Sequence, residues 1–345
     1  MNKVVINTRV LSSGLTGVQR YTLELLARLP DKLQPVAPKT SLHGVLGHAW
    51  EQFVLPARLK GRLLFSPSNT GPLLVEKQVV TIHDITPLDH PEWLNPKFAK
   101  WYQFLTPRLA CRVRRVIVDS EFTKDRICEA TSVESDKVIV IPLGIDLRFS
   151  PKLEEDVNRA KKTLGIPNME YVLTVATIEP RKNLQRLLEA WHDACQKLPK
   201  NVWLVVAGAK GQRSIFRDAS FNGLPPNVYM AGHIPDEHLP ALYSGALFFV
   251  YVSLYEGFGL PPLEAMACGT PVLTSNVTSI PEVVGDAALT VNPYDVEAIA
   301  HGIKRLVEDG ELRAKLSRRG IARAKMFTWD KTAELTWRVL EEVAN

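Results

Sequence analysis

Short apolar runs alternate with amphipathic stretches along almost the whole chain, and this alternation constrains the fold more than any other feature. The runs are rich in β-branched residues and continuously apolar, which is typical of parallel strands buried on both faces. They lie at 4–10, 63–65, 79–83, 116–119 and 138–141, and then at 171–175, 202–207, 228–230, 247–252, 271–274 and 288–291. Two successive series of strand–helix units predict an α/β chain with two doubly wound parallel sheets.

The length of 345 residues fits two domains of ordinary size. The segment Arg148-Phe149-Ser150-Pro151 interrupts the alternation, so we predict one domain over 1–148 and a second over 149–327. Thr328 has the character of an N-cap, and the final helix, 328–345, is expected to pack back on the first domain. Ligands of open α/β sheets bind beyond the carboxyl ends of the strands, so two sheets facing one another would enclose a cleft.

Composition excludes several classes of protein. With 46% hydrophobic and 23% charged residues, the chain is not a disordered, collagenous or coiled-coil protein. Its longest strongly apolar run, 246–252, is far shorter than the roughly 20 residues of a membrane-spanning helix. The start of the chain lacks the small-residue cleavage site of a signal peptide. The four cysteines form no C-x-x-C pair, which favours reduced thiols in a cytoplasmic protein.

The modest net charge of +5 is unevenly distributed. The segment 97–115 contains six cations and no acid, with aromatic and leucine side chains at helical spacing between them. One interpretation is a basic amphipathic helix at the inner face of an anionic membrane. The other is a helix packed on the core with a cationic face in solvent. Nucleic-acid binding has no motif to support it.

The segment that bears most on function follows the predicted strand 247–252. It reads Glu256-Gly257-Phe258-Gly259-Leu260-Pro261-Pro262-Leu263-Glu264. The glycines permit close approach of the backbone to a ligand, and the prolines suit the first turn of a helix. The amides at such a helix N-terminus form an anion site. The alternative is a tight loop in which Glu264 only favours the helix dipole.

Two further segments follow predicted strands. Arg181 and Lys182, after strand 171–175, are able to neutralise a diphosphate and so stabilise charge on a departing phosphate; for Arg181 the alternative is an ordinary surface cation. His83 ends strand 79–83, where it is either a ligand contact or a satisfied structural residue. Asp84 either orients His83 or caps the next turn. Ser120 and Asn183 are predicted N-caps.

Gly14 and Gly17 lie between the first strand and the first helix, where their amides would meet a diphosphate or an acceptor. They lack the third glycine of a dinucleotide fingerprint, and no acid ends the second strand, which argues against a nicotinamide dehydrogenase. The chain contains no Asp-x-Asp, and its eight histidines show no metal-ligand spacing. We therefore expect no metal and no cofactor.

Glu256 and Glu264, seven residues apart around Gly-Phe-Gly-Leu-Pro-Pro, resemble the E-x7-E signature of the retaining glycosyltransferases of family four. Other segments resemble family motifs in the same order: Gly14–Tyr21, Thr81–Asp84, Ser120–Thr123, Ile141–Asp146 and Glu179–Asn183. The resemblance implies the GT-B fold, in which two Rossmann-like domains face a central cleft that holds a nucleotide sugar. Ala176-Thr177 stand where many relatives have Gly-Arg, so whether Arg181 replaces that phosphate-binding arginine stays open.

The resemblance also implies roles for single residues. Glu256 would hold the sugar, Glu264 the ribose, and Lys182 with Gly259 the diphosphate, while the segment with Gly232 and Ile234 would read the base. The full donor-binding set is Gly17, Arg181, Lys182, Gly232, Ile234, Glu256, Gly257, Phe258, Gly259, Leu260 and Glu264. The expected catalytic residues are His83, Glu256 and Lys182, and the expected acceptor-side residues are Gly14 and Asp84.

Two segments, His48-Ala49-Trp50-Glu51-Gln52 and Thr177-Ile178-Glu179-Pro180, resemble bacterial mannosyltransferases of O-antigen assembly. They imply a retaining transfer of mannose from GDP-mannose to a glycan or lipid-linked saccharide, in which a donor phosphate oxygen takes the acceptor's proton. One alternative is the same chemistry with UDP-glucose or UDP-N-acetylglucosamine. Another is a catalytically silent GT-B module that binds a sugar nucleotide or a partner protein.

Overall fold

The computed structural model describes residues 3–12, 16–209, 215 and 223–345. The chain forms two compact units. Unit 1 contains Met1–Pro91, Pro96–Gly144 and Phe327–Asn345, and unit 2 contains Glu92–Asn95 and Ile145–Met326. Each unit is built on one six-stranded sheet whose neighbouring strands all run parallel. The predicted α/β fold with two doubly wound parallel sheets is therefore confirmed.

The sheet of unit 1 has the strand order β2-β1-β3-β4-β5-β6. Its strands are β1 (Val4–Asn7), β2 (Leu33–Val36), β3 (Leu64–Ser66), β4 (Gln78–Thr81), β5 (Arg115–Val118) and β6 (Val138–Val140). Its helices up to β6 are α1 (Gly17–Arg28), α2 (Gly44–Ala49), α3 (Leu55–Leu59), α4 (Thr86–Asp89), α5 (Pro96–Arg112) and α6 (Glu121–Ala130). A π-helical turn, Trp50–Val54, joins α2 to α3. The inner strands are buried along their length because helices cover both faces.

Strand β2 was not predicted from the sequence. It contains Gln34 and Pro35, and a proline within a run argues against a strand. β2 lies at the edge of the sheet with Pro35 opposite Ile6 of β1, and an edge position tolerates a residue that lacks an N–H. The helical segment from α2 to α3 was also missed, since Val45, Leu46 and Phe53 are exposed and no apolar stripe repeats at helical spacing.

The sheet of unit 2 has the strand order β12-β11-β10-β7-β8-β9. Its strands are β7 (Glu170–Val175), β8 (Val202–Ala207), β9 (Val228–Gly232), β10 (Phe248–Tyr251), β11 (Val272–Ser275) and β12 (Leu289–Val291). Its helices are α7 (Glu154–Thr163), α8 (Leu184–Cys195), α9 (Leu239–Ser244), α10 (Leu260–Ala267), α11 (Ile280–Val284), α12 (Val296–Glu308) and α13 (Gly310–Ala324). Helices α8 and α12 pack together over the sheet around the fully buried Trp191. Because β10 lies beside β7, the loops that follow these two strands meet at one edge.

The last helix, α14 (Trp329–Ala344), belongs to unit 1, where it packs against α1 and β5. Thr328 caps it, because its hydroxyl accepts a hydrogen bond from the amide of Lys331 at 3.3 Å. Gly144 has no room for a side chain, since a Cβ there would lie 2.2 Å from the amide nitrogen of Trp329. This close approach holds the start of α14 against Gly144, the last residue of the Pro96–Gly144 segment of unit 1.

Helix α5 contains most of the basic segment. Leu105 and Leu109 are fully buried, whereas Lys97, Lys100 and Arg108 are exposed. The apolar stripe therefore packs on the core of unit 1, and the cations lie in solvent. Among the described helices, none combines the length and the apolar character that a membrane-spanning segment requires.

Candidate active site

The turn after β7 directs two cations toward the end of β10. Residues Pro180–Lys182 form a short 3-10 turn, and Asn183 follows it in the left-handed conformation with φ +59°. Asn183 occupies the predicted N-cap position of α8, but its side chain makes no capping hydrogen bond. Its amide instead donates to the carbonyls of Val252, at 2.9 Å, and Pro293, at 2.7 Å. It thereby ties the turn to the loops after β10 and β12.

Glu256 lies at the centre of a buried ion cluster. Its Oε1 is 2.7 Å from the Lys182 ammonium, and its Oε2 is 3.0 Å from Nη1 of Arg181. The Tyr251 hydroxyl donates to the same Oε1 at 2.7 Å. Burial by itself would raise the pKa of Glu256, but the attraction of Lys182 and Arg181 outweighs burial and lowers it. The carboxylate is therefore ionised at neutral pH.

Arg181 is held between two carboxylates. Its Nε lies 2.5 Å from Oε1 of Glu179, whose side chain is 1% exposed, and its Nη1 faces Glu256. It is thus not an ordinary surface cation. Burial lowers the pKa of Lys182, and repulsion by Arg181 lowers it further. Two cations and two carboxylates make the buried cluster electrically neutral as a whole.

The loop after β10 leads into α10 through a residue that must be glycine. Gly259 has φ +118°, and a Cβ there would lie 2.6 Å from Cδ1 of Ile280. The Ser279 hydroxyl donates to the carbonyls of Glu256, at 2.9 Å, and Phe258, at 2.8 Å. These bonds hold the Glu256–Gly259 loop in place ahead of the N-terminus of α10, where backbone amides and the helix dipole favour an anion.

Other residues that the sequence predicts on the donor side lie at the same edge of the sheet or next to it. Glu264 is the fifth residue of α10, is 8% exposed, and accepts a hydrogen bond from the Tyr243 hydroxyl at 3.2 Å. This burial does not fit a carboxylate whose only role is to favour the helix dipole. Gly232 ends β9 with φ +69°, and Ile234, two residues later in the chain, is buried.

In unit 1, His83 lies just beyond β4, and other residues of that unit engage both of its ring nitrogens. Nδ1 is 2.7 Å from Oδ2 of Asp119, and Nε2 is 3.0 Å from the carbonyl oxygen of Pro67. Because a carbonyl only accepts hydrogen bonds, Nε2 carries a proton. A second proton lies between Nδ1 and Oδ2 of Asp119, and burial raises the pKa of that carboxyl group. Burial lowers the pKa of His83, but Asp119 outweighs burial and raises it. A ring contact to a sugar would require Nε2 to leave Pro67.

The sequence left two roles open for Asp84, and in the structure it caps the next turn. Its Oδ1 accepts from the amide of Thr86 at 3.0 Å, at the start of α4. The residue that orients His83 is Asp119, which sequence reasoning missed. Its signal was an acid directly after β5, the strand that pairs with β4. Ser120 caps α6 as predicted, because its hydroxyl accepts from the amide of Thr123 at 3.1 Å.

The glycines near the first helix are only partly covered by the structure. Gly17 is the first residue of α1, where the amide of Thr16 donates to Oε1 of Gln19 at 3.0 Å. Gly14 lies outside the described residues. The structure therefore places Gly17 at a helix N-terminus, which is where the sequence predicts an anion contact.

Comparison with known proteins decides the family. Residues 156–323 match the model of the family described as "Glycosyl transferases group 1", and residues 49–149 match "Glycosyltransferase Family 4". O-antigen chain mannosyltransferase B of Escherichia coli is 30% identical over 97% of this chain and 98% of its own length. The chain belongs to the family-four glycosyltransferases. The ion cluster lies in the part of this glycosyltransferase that matches the first model, and His83 lies in the part that matches the second.

Two more relatives extend the comparison. The glycosyltransferase is 33% identical to the serotype-specific mannosyltransferase WbdA of Escherichia coli. The matched region covers 75% of this chain and 32% of that larger protein. The crystal structure of Anabaena HepE in complex with UDP-glucose superimposes with a TM-score of 0.78 at 18% identity and covers 99% of each chain. The fold is therefore GT-B, as the sequence resemblance implied.

Proposed function

We propose that this glycosyltransferase transfers mannose from GDP-mannose, with retention of configuration, to a glycan or lipid-linked saccharide acceptor in bacterial surface polysaccharide synthesis. The choice of mannose rests on relatives at 30% and 33% identity that are named as mannosyltransferases. The residues of the site support the type of reaction, but they do not identify the sugar that is transferred. The proposal is carried by the ion cluster of Glu256 with Lys182 and Arg181 at the edge of the sheet in unit 2.

The cluster suits a diphosphate because its two cations are already held together by a carboxylate. A diphosphate that enters takes over the Lys182 ammonium and the Arg181 guanidinium. Glu256 is thereby released to accept hydrogen bonds from sugar hydroxyls. As the bond between the sugar and the diphosphate breaks, charge grows on the phosphate oxygens, and the cations stabilise it without reorganising. The N-terminus of α10 adds a further dipole directed at the same anion.

In the proposed transfer, the acceptor oxygen attacks the anomeric carbon from the face that the diphosphate leaves. The new carbon–oxygen bond forms as the bond to the phosphate oxygen breaks, and that phosphate oxygen takes the acceptor's proton. No protein nucleophile is needed. His83 then acts at the donor sugar either by exchanging Pro67 for a sugar hydroxyl or by fixing the backbone around the sugar.

We further propose that the reaction needs no metal. In the described parts of the chain, no group of three or more histidine, cysteine, aspartate or glutamate side chains is arranged to hold a metal ion. The charge of a diphosphate has partners in Lys182 and Arg181. The cation pair supports the proposal, and transfer in the presence of EDTA tests it.

Peripheral contact of unit 1 with an anionic membrane is proposed through the exposed cations of α5. Lys97, Lys100 and Arg108 face solvent, whereas the leucines that would insert into a bilayer are buried. The contact would therefore be mainly electrostatic, and salt would weaken it. We expect the protein to sediment with phosphatidylglycerol vesicles at low salt and to remain in the supernatant at high salt.

Thermal unfolding with a panel of nucleotide sugars, in the presence of EDTA, tests the main proposal. A donor at 100 times its Kd adds about 2.7 kcal/mol to the free energy of unfolding. Stabilisation by GDP and GDP-mannose alone is the expected result. Stabilisation by UDP sugars would refute the donor, and no response to any nucleotide would favour the silent module. Lys182→Met should abolish the response, whereas Lys304→Met, on the exposed face of α12, should keep it.

A further inference from the structure

Unit 1 contains a second buried carboxylate, far along the chain from the residues discussed so far. Glu51 is fully buried in the π-helical turn between α2 and α3, and such turns are frequent at functional sites. Asn7 donates to its Oε1 at 2.6 Å, and the Thr70 hydroxyl donates to the same oxygen at 2.9 Å. Burial would raise the pKa of Glu51, but the neighbouring His48, the charge of Arg9 and the hydrogen bond from Thr70 together outweigh burial and lower it. Glu51 is therefore an ionised anchor.

Arg9 is the cation that this anchor holds. Its Nη2 lies 3.4 Å from Oε2 of Glu51 and 3.3 Å from the hydroxyl of Thr70. The guanidinium lies against Gly47, where a Cβ would be 2.7 Å from Nη1. Nε is buried without a hydrogen-bond partner among the described residues, and the side chain as a whole is 15% exposed. The guanidinium is thus fixed in place with donor capacity left over.

His48 and Trp101 adjoin this arginine–glutamate pair. His48 Nδ1 is 3.7 Å from Oε2 of Glu51, and the indole of Trp101 donates to the same Nδ1 at 3.3 Å. An indole N–H only donates, so Nδ1 is the acceptor in the contact with Trp101. His48 is 20% exposed, and the Trp101 ring lies 5.2 Å from it and is half-buried.

One short loop joins this group to His83. The loop follows β3, and its Thr70 contacts Glu51 and Arg9. The same loop accepts from His83 at the carbonyl of Pro67 and at the side chain of Asn69. Both groups therefore lie beyond the carboxyl ends of strands β1, β3 and β4, which is where ligands of open α/β sheets bind.

We propose that Arg9, His48 and Trp101 form a saccharide subsite that binds a hydroxyl pair of the acceptor sugar. Glu51 is a positioning residue that fixes the guanidinium of Arg9. Because Glu51 neutralises that guanidinium, the subsite fits neutral hydroxyls better than a phosphate. An aromatic ring beside polar donors matches a pyranose, which has apolar C–H faces and hydroxyl edges. The inference rests on the proposed transfer to a saccharide.

The test separates acceptor binding from donor chemistry. Arg9→Lys keeps the charge beside Glu51 but loses the guanidinium fork, and His48→Ala removes the imidazole from a partly exposed position. The matched control is Arg58→Lys in α3, whose guanidinium lies over Trp50, 5.7 Å from the ring centroid, and has no contact with Glu51. Two reactions are measured: hydrolysis of GDP-mannose without acceptor, and transfer to methyl α-mannoside and mannobioses.

We expect Arg9→Lys and His48→Ala each to raise the acceptor KM about tenfold or more, as the loss of a hydrogen bond to a charged or buried group predicts. Donor KM and the hydrolysis rate should stay within about twofold of wild type, and Arg58→Lys should match wild type throughout. Thermal unfolding confirms that each variant is folded, and His48→Ala keeps the test valid if Arg9→Lys is not. An unchanged acceptor KM, or an equal rise in donor KM, would overturn the subsite.

Ligand-observed NMR with methyl α-mannoside and mannobioses, without donor, keeps this inference distinct from the proposed function. Binding by wild type that Arg9→Lys weakens supports the subsite, even if GDP-mannose is not the donor. No binding of any of these saccharides by wild type overturns it. Displacement of a bound saccharide by inorganic phosphate would show an anion site and overturn it as well.

Discussion

Glu256→Gln should make the enzyme bind the nucleotide diphosphate more tightly while it transfers sugar more slowly. In wild type the Glu256 carboxylate contacts both Lys182 and Arg181 and offsets one of their two positive charges, and a diphosphate has to replace it. The glutamine leaves the two cations facing only Glu179, so the cluster gains one positive charge. We expect the Kd for GDP to fall about tenfold, a gain of about 1.4 kcal/mol. The transfer rate should fall about 10²-fold, because the sugar loses an ionised hydrogen-bond acceptor.

The same substitution should destabilise the free enzyme. At 2.7 Å, the attraction between Lys182 and Glu256 is about 6 kcal/mol at an effective dielectric constant of 20. The cost of burying both charges offsets part of this, and breaking a buried pair from one side costs about 3–5 kcal/mol. At about 2–4 °C for each kcal/mol in a domain of this size, a loss of about 3 kcal/mol lowers the Tm by about 6–12 °C. GDP should restore much of that loss.

Calorimetric titration of GDP and thermal unfolding with and without GDP measure both effects. Tyr251→Phe is the matched control, because it removes the hydrogen bond to Glu256 at 2.7 Å and the one from Lys182 at 2.6 Å without changing the charge. It should lower the Tm by a smaller amount and should not tighten GDP binding. Weaker GDP binding by Glu256→Gln would refute the argument that the carboxylate occupies the place of the diphosphate. An unchanged Tm would show that the ion pair does not stabilise unit 2.

Three further outcomes are expected. The raised pKa of His83 gives unit 1 a stability contribution that is complete below the ordinary value of about 6.5 and is lost as pH rises through the raised value. Asp119→Asn should lower the pKa of His83, measured by NMR titration, and should remove this loss of stability. Identical His83 titrations in wild type and the variant would contradict the ion pair. Gly259→Ala forces a Cβ to 2.6 Å from Cδ1 of Ile280 at φ +118° and should cost about 1–3 kcal/mol of unfolding free energy. Gly310→Ala at the start of α13, where a Cβ would lie 3.6 Å from Nη2 of Arg313 in ordinary van der Waals contact, should not destabilise the protein in the same denaturation experiment. Transfer from GDP-mannose should continue at an unchanged rate in excess EDTA, and a loss that Mg²⁺ or Mn²⁺ restores would show that the cation pair is not sufficient.

Much of this protein follows from local sequence. Buried parallel strands require continuous apolar runs, and helices between them require a 3.6-residue period, so eleven of the twelve described strands are recognisable from local sequence. The exception that stands out is β2, whose Pro35 is acceptable only because the strand lies at an edge. Position in a sheet is a property of the assembled fold. A local pattern therefore does not reveal it.

The candidate site shows the same division. The sequence alone determined that Glu256, Lys182 and His83 each follow a strand, because residue order along the chain places them there. Only the tertiary structure decided their partners. Glu256 meets Lys182 across 74 positions because β10 lies beside β7, and His83 meets Asp119 because β4 pairs with β5. Strand order is set by how whole helices and sheets pack. The charged groups that shift the pKa of each site residue therefore come from distant segments, and the residues next to it in the sequence do not identify them.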